Sequence, residues 1–273
     1  MFLRRTDEPR RKAENLVRAG SELAGAAVGG ALGFFAGGPA AAASAAVGGN
    51  FLARLLISIG SEIQDRGLGP RERLRAGAAA AVAADHIQNR LERGDQPRED
   101  GFFEAKAGAR SGAEELAEGV LLKSRDSYQE KKVQYLGYFL ANAVFHSELS
   151  SERANFFLGL FDHLTFRQLC LLAAFAESAP VAVPAVSLDG AQATVEEWAL
   201  LQEIDSLVQL SLARQVDEEG KLDLYWGLGA IRPRSIKLTR NGVDMVEYFH
   251  LRLLPWDELE HCFLPFRARK EDS

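Results

Sequence analysis

Between Leu23 and Ala53 the chain carries no charged side chain, and glycine and alanine outnumber the larger aliphatic residues. Gly25, Gly29, Gly33 and Gly37 recur at every fourth position, Gly38-Pro39 breaks the run, and Ala40, Ser44 and Gly48 resume the spacing. Helix positions four apart share a face, so the series describes a strip where another backbone can approach closely. The pattern predicts a glycine zipper for a membrane or for tight self-packing. Gly25, Gly29, Gly33, Gly37, Ser44 and Gly48 are its packing positions, and the Gly-Pro break predicts a helical hairpin.

Charge supports a membrane reading of that hairpin. Residues 1–22 carry six Lys/Arg against four Asp/Glu, and residues 54–75 carry five against three. The formal net charge is -6, so residues 76–273 hold -10. Basic collars on both sides of an apolar segment place both ends on the cytoplasmic side. At 1.5 Å per residue the arm from Leu23 to Gly37 spans roughly 22 Å, short of a hydrocarbon core of ~30 Å. The arm from Ala40 to Gly60 reaches about 31 Å but includes Arg54. Gly and Ala also drive insertion weakly, so conditional or oligomeric insertion fits better than a permanent single anchor.

Other readings compete. A close-packed hairpin in a soluble core is the main rival. A secretory signal would use Ala43-Ser44-Ala45 as its cleavage site, but Asp7, Glu8 and Glu14 lie where a basic region belongs. A flexible linker is opposed by Phe34, Phe35, Phe51, Leu52, Leu55, Leu56 and Ile57.

The rest of the chain reads as a helical body. A length of 273 residues accommodates one large core or two modest ones. Two cysteines, Cys170 and Cys262, suit a reducing compartment better than a disulfide framework. Gly67 to Pro70 is a breaker, with Pro70 starting an alanine-rich helix over about 70–93. Residues 94–101 read as a polar boundary loop. Ser111 with Glu114, Thr165 with Gln168, and Thr194 with Glu197 form three capping boxes, each opening an apolar-periodic run. Helices are predicted over about 128–147, 151–163, 165–179 and 194–214. Residues 221–226 and 235–238 alternate and are predicted to pair as a ribbon, followed by a helix from Thr239 to Leu251. The fold class expected is mainly α: an N-terminal Gly/Ala-rich helical hairpin over 1–66, a central helical bundle over 67–180, and a C-terminal winged-helix-like module with a small two-stranded ribbon over 181–273.

No motif for chemistry emerges. The glycines lack the Lys-Ser/Thr of a phosphate loop, and His86, His146, His163, His250 and His261 show no metal-ligand spacing. No catalytic residue, metal or cofactor is expected. Duplex DNA is not expected as a partner either, because the helix that would enter a groove carries Glu196, Glu197, Glu203 and Asp205 against Arg214. The basic cluster Arg232, Arg234, Lys237 and Arg240 is the candidate for a phosphate-bearing ligand or acidic partner, with a solvated wing as the simpler reading.

Three segments carry a family resemblance: Leu158-Gly-Leu-Phe-Asp-His-Leu-Thr-Phe-Arg-Gln-Leu169, Leu207-Val-Gln-Leu-Ser-Leu-Ala213 and Ile236-Lys-Leu-Thr-Arg-Asn-Gly242. They resemble abortive-infection phage-defence proteins of the Abi-alpha type over residues 111–250, and the resemblance transfers no functional residue. A membrane segment joined to a sensing body is also similar to effectors of nucleotide-signalling defence systems such as Hailong. The resemblance implies a homo-oligomeric pore or channel in the bacterial inner membrane, contacting lipid and gated by a nucleotide or oligonucleotide signal. The alternative is a soluble helical adaptor with a buried hairpin.

Overall fold

The computed structural model of this chain describes residues 69–105, 110–176, 179, 181–184, 193–224 and 227–271. The predicted hairpin lies outside them. Among the described residues the fold is mainly helical, with nine α-helices and one two-stranded antiparallel sheet. Two units divide between His163 and Leu164.

The first unit is built on α1 (Pro70–Glu92), α2 (Gly112–Asp126), α3 (Val133–Ala143) and α4 (Ser151–His163). Pro70 occupies the first turn of α1, and the Gly69 N–H donates to Glu72 Oε2 at 2.8 Å. Alanine gives this helix high propensity and a face without bulk. Ala76, Ala79, Val82, Ala83 and Ile87 are buried, and α1 packs on α2 and α3. Helix α3 is buried on nearly every side, as its apolar run from Val133 to Ala143 requires. Gly137 is where the two helices come closest. A Cβ built there would stand 2.6 Å from the Ala79 carbonyl oxygen and 2.8 Å from Val82 Cβ.

Arg98 ties the loop after α1 to the end of α3. Its backbone N–H donates to Val144 O at 3.0 Å. Its guanidinium donates to Leu149 O at 2.7 Å, to Ala143 O and Ser147 O at 3.3 Å each, and to Asp100 Oδ1 at 2.8 Å. The Phe102 ring lies against its face, 4.2 Å from ring centroid to guanidinium carbon. Residues 94–101, read from sequence as a boundary loop, therefore lie inside one unit. The same contacts explain why α3 stops at Ala143 rather than near 147: the arginine satisfies carbonyls that a further helical turn would use. At the other end, a 3-10 turn over Glu130–Lys132 replaces the expected first turn.

The second unit contains α5 (Phe166–Phe175), α6 (Val195–Gln209), β1 (Ala213–Gln215), β2 (Ile236–Leu238), α7 (Arg240–Tyr248), α8 (Trp256–His261) and α9 (Leu264–Glu271). Leu169, Leu172, Leu200, Ile204, Leu207, Met245, Phe249 and Phe263 are buried. Arg167 on α5 grips Glu203 on α6 through two parallel hydrogen bonds of 2.8 and 2.7 Å. All three predicted capping boxes form, on α2, α5 and α6.

Two sequence expectations change here. Helix α6 ends at Gln209, not near Arg214, because Ser211 adopts φ 57° and turns fully buried Leu212 inward. The strand pairing changes with it. Residues 236–238 pair with Ala213–Gln215, in register Ala213↔Leu238, Arg214↔Lys237 and Gln215↔Ile236, rather than with 221–226. Gly242, in the first turn of α7, closes this corner. A Cβ there would lie 2.0 Å from Leu212 O.

Both close approaches predict a stability cost for the smallest added side chain. Gly137→Ala and Gly242→Ala each gain helix propensity of up to about 1 kcal/mol, but overpacking against backbone costs roughly 1–3 kcal/mol. Overpacking is expected to win, lowering Tm in thermal denaturation. An unchanged or raised Tm would mean that the neighbouring backbone yields.

Candidate functional site

The ribbon of the second unit begins where α6 stops. Leu212 O accepts from the Thr239 N–H at 3.0 Å, and the Thr239 hydroxyl donates to Ser211 O at 2.6 Å while also accepting from the Gly242 N–H at 3.2 Å. One threonine thereby fixes the start of the ribbon and caps α7. Residues 221–224 lie along the other side of β1. Val216 bridges Leu222, and the Asp223 N–H donates to Gln215 O at 3.0 Å. The turn between them is closed by Asp217, whose carboxylate accepts from the Glu219 and Lys221 N–H groups at 3.0 and 2.8 Å. β1 thus runs between the two stretches expected to pair with each other.

Alternation along β1 sorts its side chains onto two faces. Ala213, Gln215 and Ile236 are buried on the inner face. There Gln215 donates from Nε2 to Asp223 Oδ2 at 2.9 Å and accepts from the Arg232 N–H at 2.7 Å. The outer face carries Arg214 directly opposite Lys237, both exposed.

The four cations named from sequence are therefore not equivalent. Arg232 is exposed but paired with Asp223, whose carboxyl is held below the usual carboxylate range by the Gln215 amide and the Arg232 guanidinium. Arg240 Nε lies 2.8 Å from Oδ1 of buried Asp244, one turn along α7. Arg234 and Lys237 are exposed, with no carboxylate at ion-pair distance among the described residues. Arg214, which the sequence reading placed at the end of a helix, joins Lys237 through strand register. Of the four named cations, Arg232 and Arg240 are paired with carboxylates; the cross-strand pair with no carboxylate at ion-pair distance among the described residues is Arg214 and Lys237. The packing positions Gly25, Gly29, Gly33, Gly37, Ser44 and Gly48 lie outside the described residues.

The acidic face of α6 also resolves into parts. Glu197 is buried as the capping-box carboxylate, and Glu203 is held by Arg167. Glu196 is exposed, while Asp205 is half-buried and accepts from Gln209 at 2.5 Å. Val195 and Trp198 share the exposed surface.

Two titratable groups of the first unit, buried Lys132 and half-buried His86, are held by structural contacts. Lys132 donates to Phe161 O at 2.9 Å and Asp162 O at 3.3 Å, so it caps the C-terminus of α4. Burial pushes its amine down to about 8. His86 on α1 meets the edge of Tyr138 on α3, with ring centroids 5.4 Å apart. Nearby, Arg90 bonds Asp95 at 2.6 Å and Asn142 at 3.2 Å, and its guanidinium lies over Phe145. Burial first, then Arg90 and Arg93, push the His86 imidazole down to about 4. Among the described residues no group of three or more His, Cys, Asp or Glu side chains is placed to hold a metal ion.

Comparison of the chain with family models, characterised proteins and solved structures finds no match.

His86 gives a signed pH prediction. Its folded pKa lies below the unfolded value of 6.5, so falling pH protonates the unfolded chain first. The stability is fully present above about pH 6.5 and is lost as pH falls toward about 4. Denaturant midpoints measured between pH 7 and 4 should fall less steeply in His86→Gln than in the native chain. Parallel curves would assign the acid sensitivity to other groups.

Proposed function

We propose that this chain is a membrane effector in which the 23–53 segment packs between protomers and the helical body governs its assembly. The observation that carries the reading is the uncharged stretch with glycine at 25, 29, 33 and 37, flanked by basic collars and followed by an acidic body. Such a strip favours backbone-to-backbone helix contact where side-chain burial gives little driving force. Among the described residues no single helix is long and apolar enough to cross a membrane. The proposal therefore rests on the hairpin. The segments resembling Abi-alpha proteins supply the context of bacterial phage defence, with a homo-oligomeric pore as the output.

Within that reading, the order helix, strand, strand, helix from α6 to α7 supports a winged-helix-like second unit with the ribbon as its wing. Exposed Arg234 and Lys237, joined by Arg214, are the groups through which an anionic signal would act. The exposed carboxylate of Glu196 keeps duplex DNA disfavoured at α6.

A second reading has its own observation. Alanine-rich α1 packs on Gly137 of α3 within a helical unit, so small-residue helix contacts in this chain also serve an ordinary core. A Gly/Ala hairpin could extend that core in a soluble adaptor.

Two measurements separate these readings. Full-length protein expressed in bacteria should stay in the membrane pellet after alkaline carbonate washing, and Gly29→Leu or Gly33→Leu should reduce oligomer size without unfolding the body. Release by carbonate would favour the adaptor. Unchanged oligomer size in both leucine variants would remove the zipper.

A further inference from the structure

The outer face of the ribbon carries exposed apolar and cationic side chains, Leu222, Leu224, Arg214 and Lys237. Val216 and Leu222 are bridged partners and so share a face, of which Val216, 7% exposed, is the buried end; Arg214 lies two residues before Val216, and Leu224 two residues after Leu222. Strand alternation therefore places Arg214, Leu222 and Leu224 together on the outer face, with Lys237 opposite Arg214. The inner-face contact between Gln215 and Asp223 confirms the register. Leu222 is 60% exposed and Leu224 76% exposed. Tyr225 and Trp226 follow directly in sequence.

Two features of this face are costly for a surface meant only for water. Like charges directly opposite in a ladder repel, and Arg214 and Lys237 have no carboxylate at ion-pair distance among the described residues. The chain has acids in excess, 38 against 32 basic residues, and it neutralises Arg232 and Arg240 with Asp223 and Asp244. Two exposed leucines beside a cation pair that has no carboxylate at ion-pair distance among the described residues suit an interface that takes apolar side chains at one depth and offers anions at another. A lipid headgroup layer has that profile.

We propose that the outer face of the ribbon docks on an anionic membrane surface, with Leu222 and Leu224 entering the headgroup region and Arg214 and Lys237 contacting lipid phosphates. A soluble phosphate ester would satisfy the cations but leave both leucines in water, so the apolar component selects the lipid surface. The inference deepens the membrane reading by giving the body its own contact, distinct from hairpin insertion. It needs neither a pore nor a nucleotide.

The test uses the full chain with Leu224→Cys labelled by an environment-sensitive nitrobenzoxadiazole fluorophore. Cys170 and Cys262 are buried at 1% and 5% exposure, so labelling is directed to position 224. Titration with phosphatidylglycerol vesicles should blue-shift and brighten the label, whereas phosphatidylcholine vesicles should not. Near a charged surface each cation is worth roughly fivefold in partitioning, so Arg214→Ala/Lys237→Ala should weaken the response about thirtyfold. Salt near ~1 M should suppress it. Leu222→Ser should weaken it while leaving the salt dependence in place. Both substituted regions are exposed, and an unchanged Tm in each variant establishes that the ribbon still folds.

Carbonate-resistant pelleting, measured on the same samples, reads the hairpin separately. A chain that resists carbonate but shows no label response on phosphatidylglycerol overturns ribbon docking and leaves the hairpin reading standing. A chain released by carbonate whose label still responds supports ribbon docking and overturns hairpin insertion. Equal responses on the two lipids, or an unchanged response after Arg214→Ala/Lys237→Ala, also overturn docking. So does a response to a single-stranded oligonucleotide with none to vesicles, which would assign the face to nucleic acid.

Discussion

Each unit depends on a place where two backbones meet with no side chain between them. In the first it is Gly137 on α3, against the carbonyl of Ala79 on α1. In the second it is Gly242 on α7, against the carbonyl of Leu212 before β1. Close approach of this kind fixes geometry more tightly than area burial does, because dispersion is short-ranged and a missing methylene cannot be replaced elsewhere. It also explains why so much alanine suffices for α1. Val82 and Ile87 are almost fully buried, and the small residues around them let α3 approach α1 closely at Gly137.

Arg98 shows the complementary device, in which a buried polar group organises irregular backbone. An unpaired buried guanidinium would be severely destabilising, yet this one donates to three backbone carbonyls and a carboxylate while stacking on Phe102. One side chain thus joins the loop after α1 to the turn after α3. Lys132 works similarly at the end of α4, and its lowered pKa reflects the cost of bringing an ammonium into that position. Both residues are long and amphipathic, so the aliphatic stem joins the core while the head meets carbonyls.

The legible parts of this fold are those with local causes. Capping boxes announce themselves in four residues, and Ser111, Thr165 and Thr194 each start a helix as their spacing implies. Apolar periodicity likewise located α4 and α5. The ribbon was only half legible. A three-residue strand is too short for a period of two to show, and Ala213 to Gln215 read as the end of a helix because nothing local says that Ser211 takes a positive φ. That turn is held by the Thr239 hydroxyl, 28 residues along the chain, which donates to Ser211 O. The candidate site followed the same rule. Sequence brought together Arg232, Arg234, Lys237 and Arg240 because they are neighbours along the chain. Strand register brought Arg214 to Lys237, and side-chain geometry set Arg232 and Arg240 apart by giving each a carboxylate.

Register also changes what the charge of this protein means. A body carrying an excess of acid is repelled by an anionic surface at long range, and the net charge alone would argue against contact. That repulsion is screened beyond about 8 Å at physiological ionic strength, whereas Arg214 and Lys237 act within a few ångströms of whatever the ribbon touches. Docking through this face would therefore be slow to initiate in dilute solution and effective once the body is held close. If the 23–53 segment inserts as proposed, it would supply that proximity, because tethering replaces a bimolecular encounter with a high effective concentration. The acidic body then opposes any orientation except the one that presents the ribbon. On the proposed reading, the ribbon would select one orientation of the body at the surface, and a ligand or partner that covers Arg214 and Lys237 would release that contact without affecting insertion of the 23–53 segment.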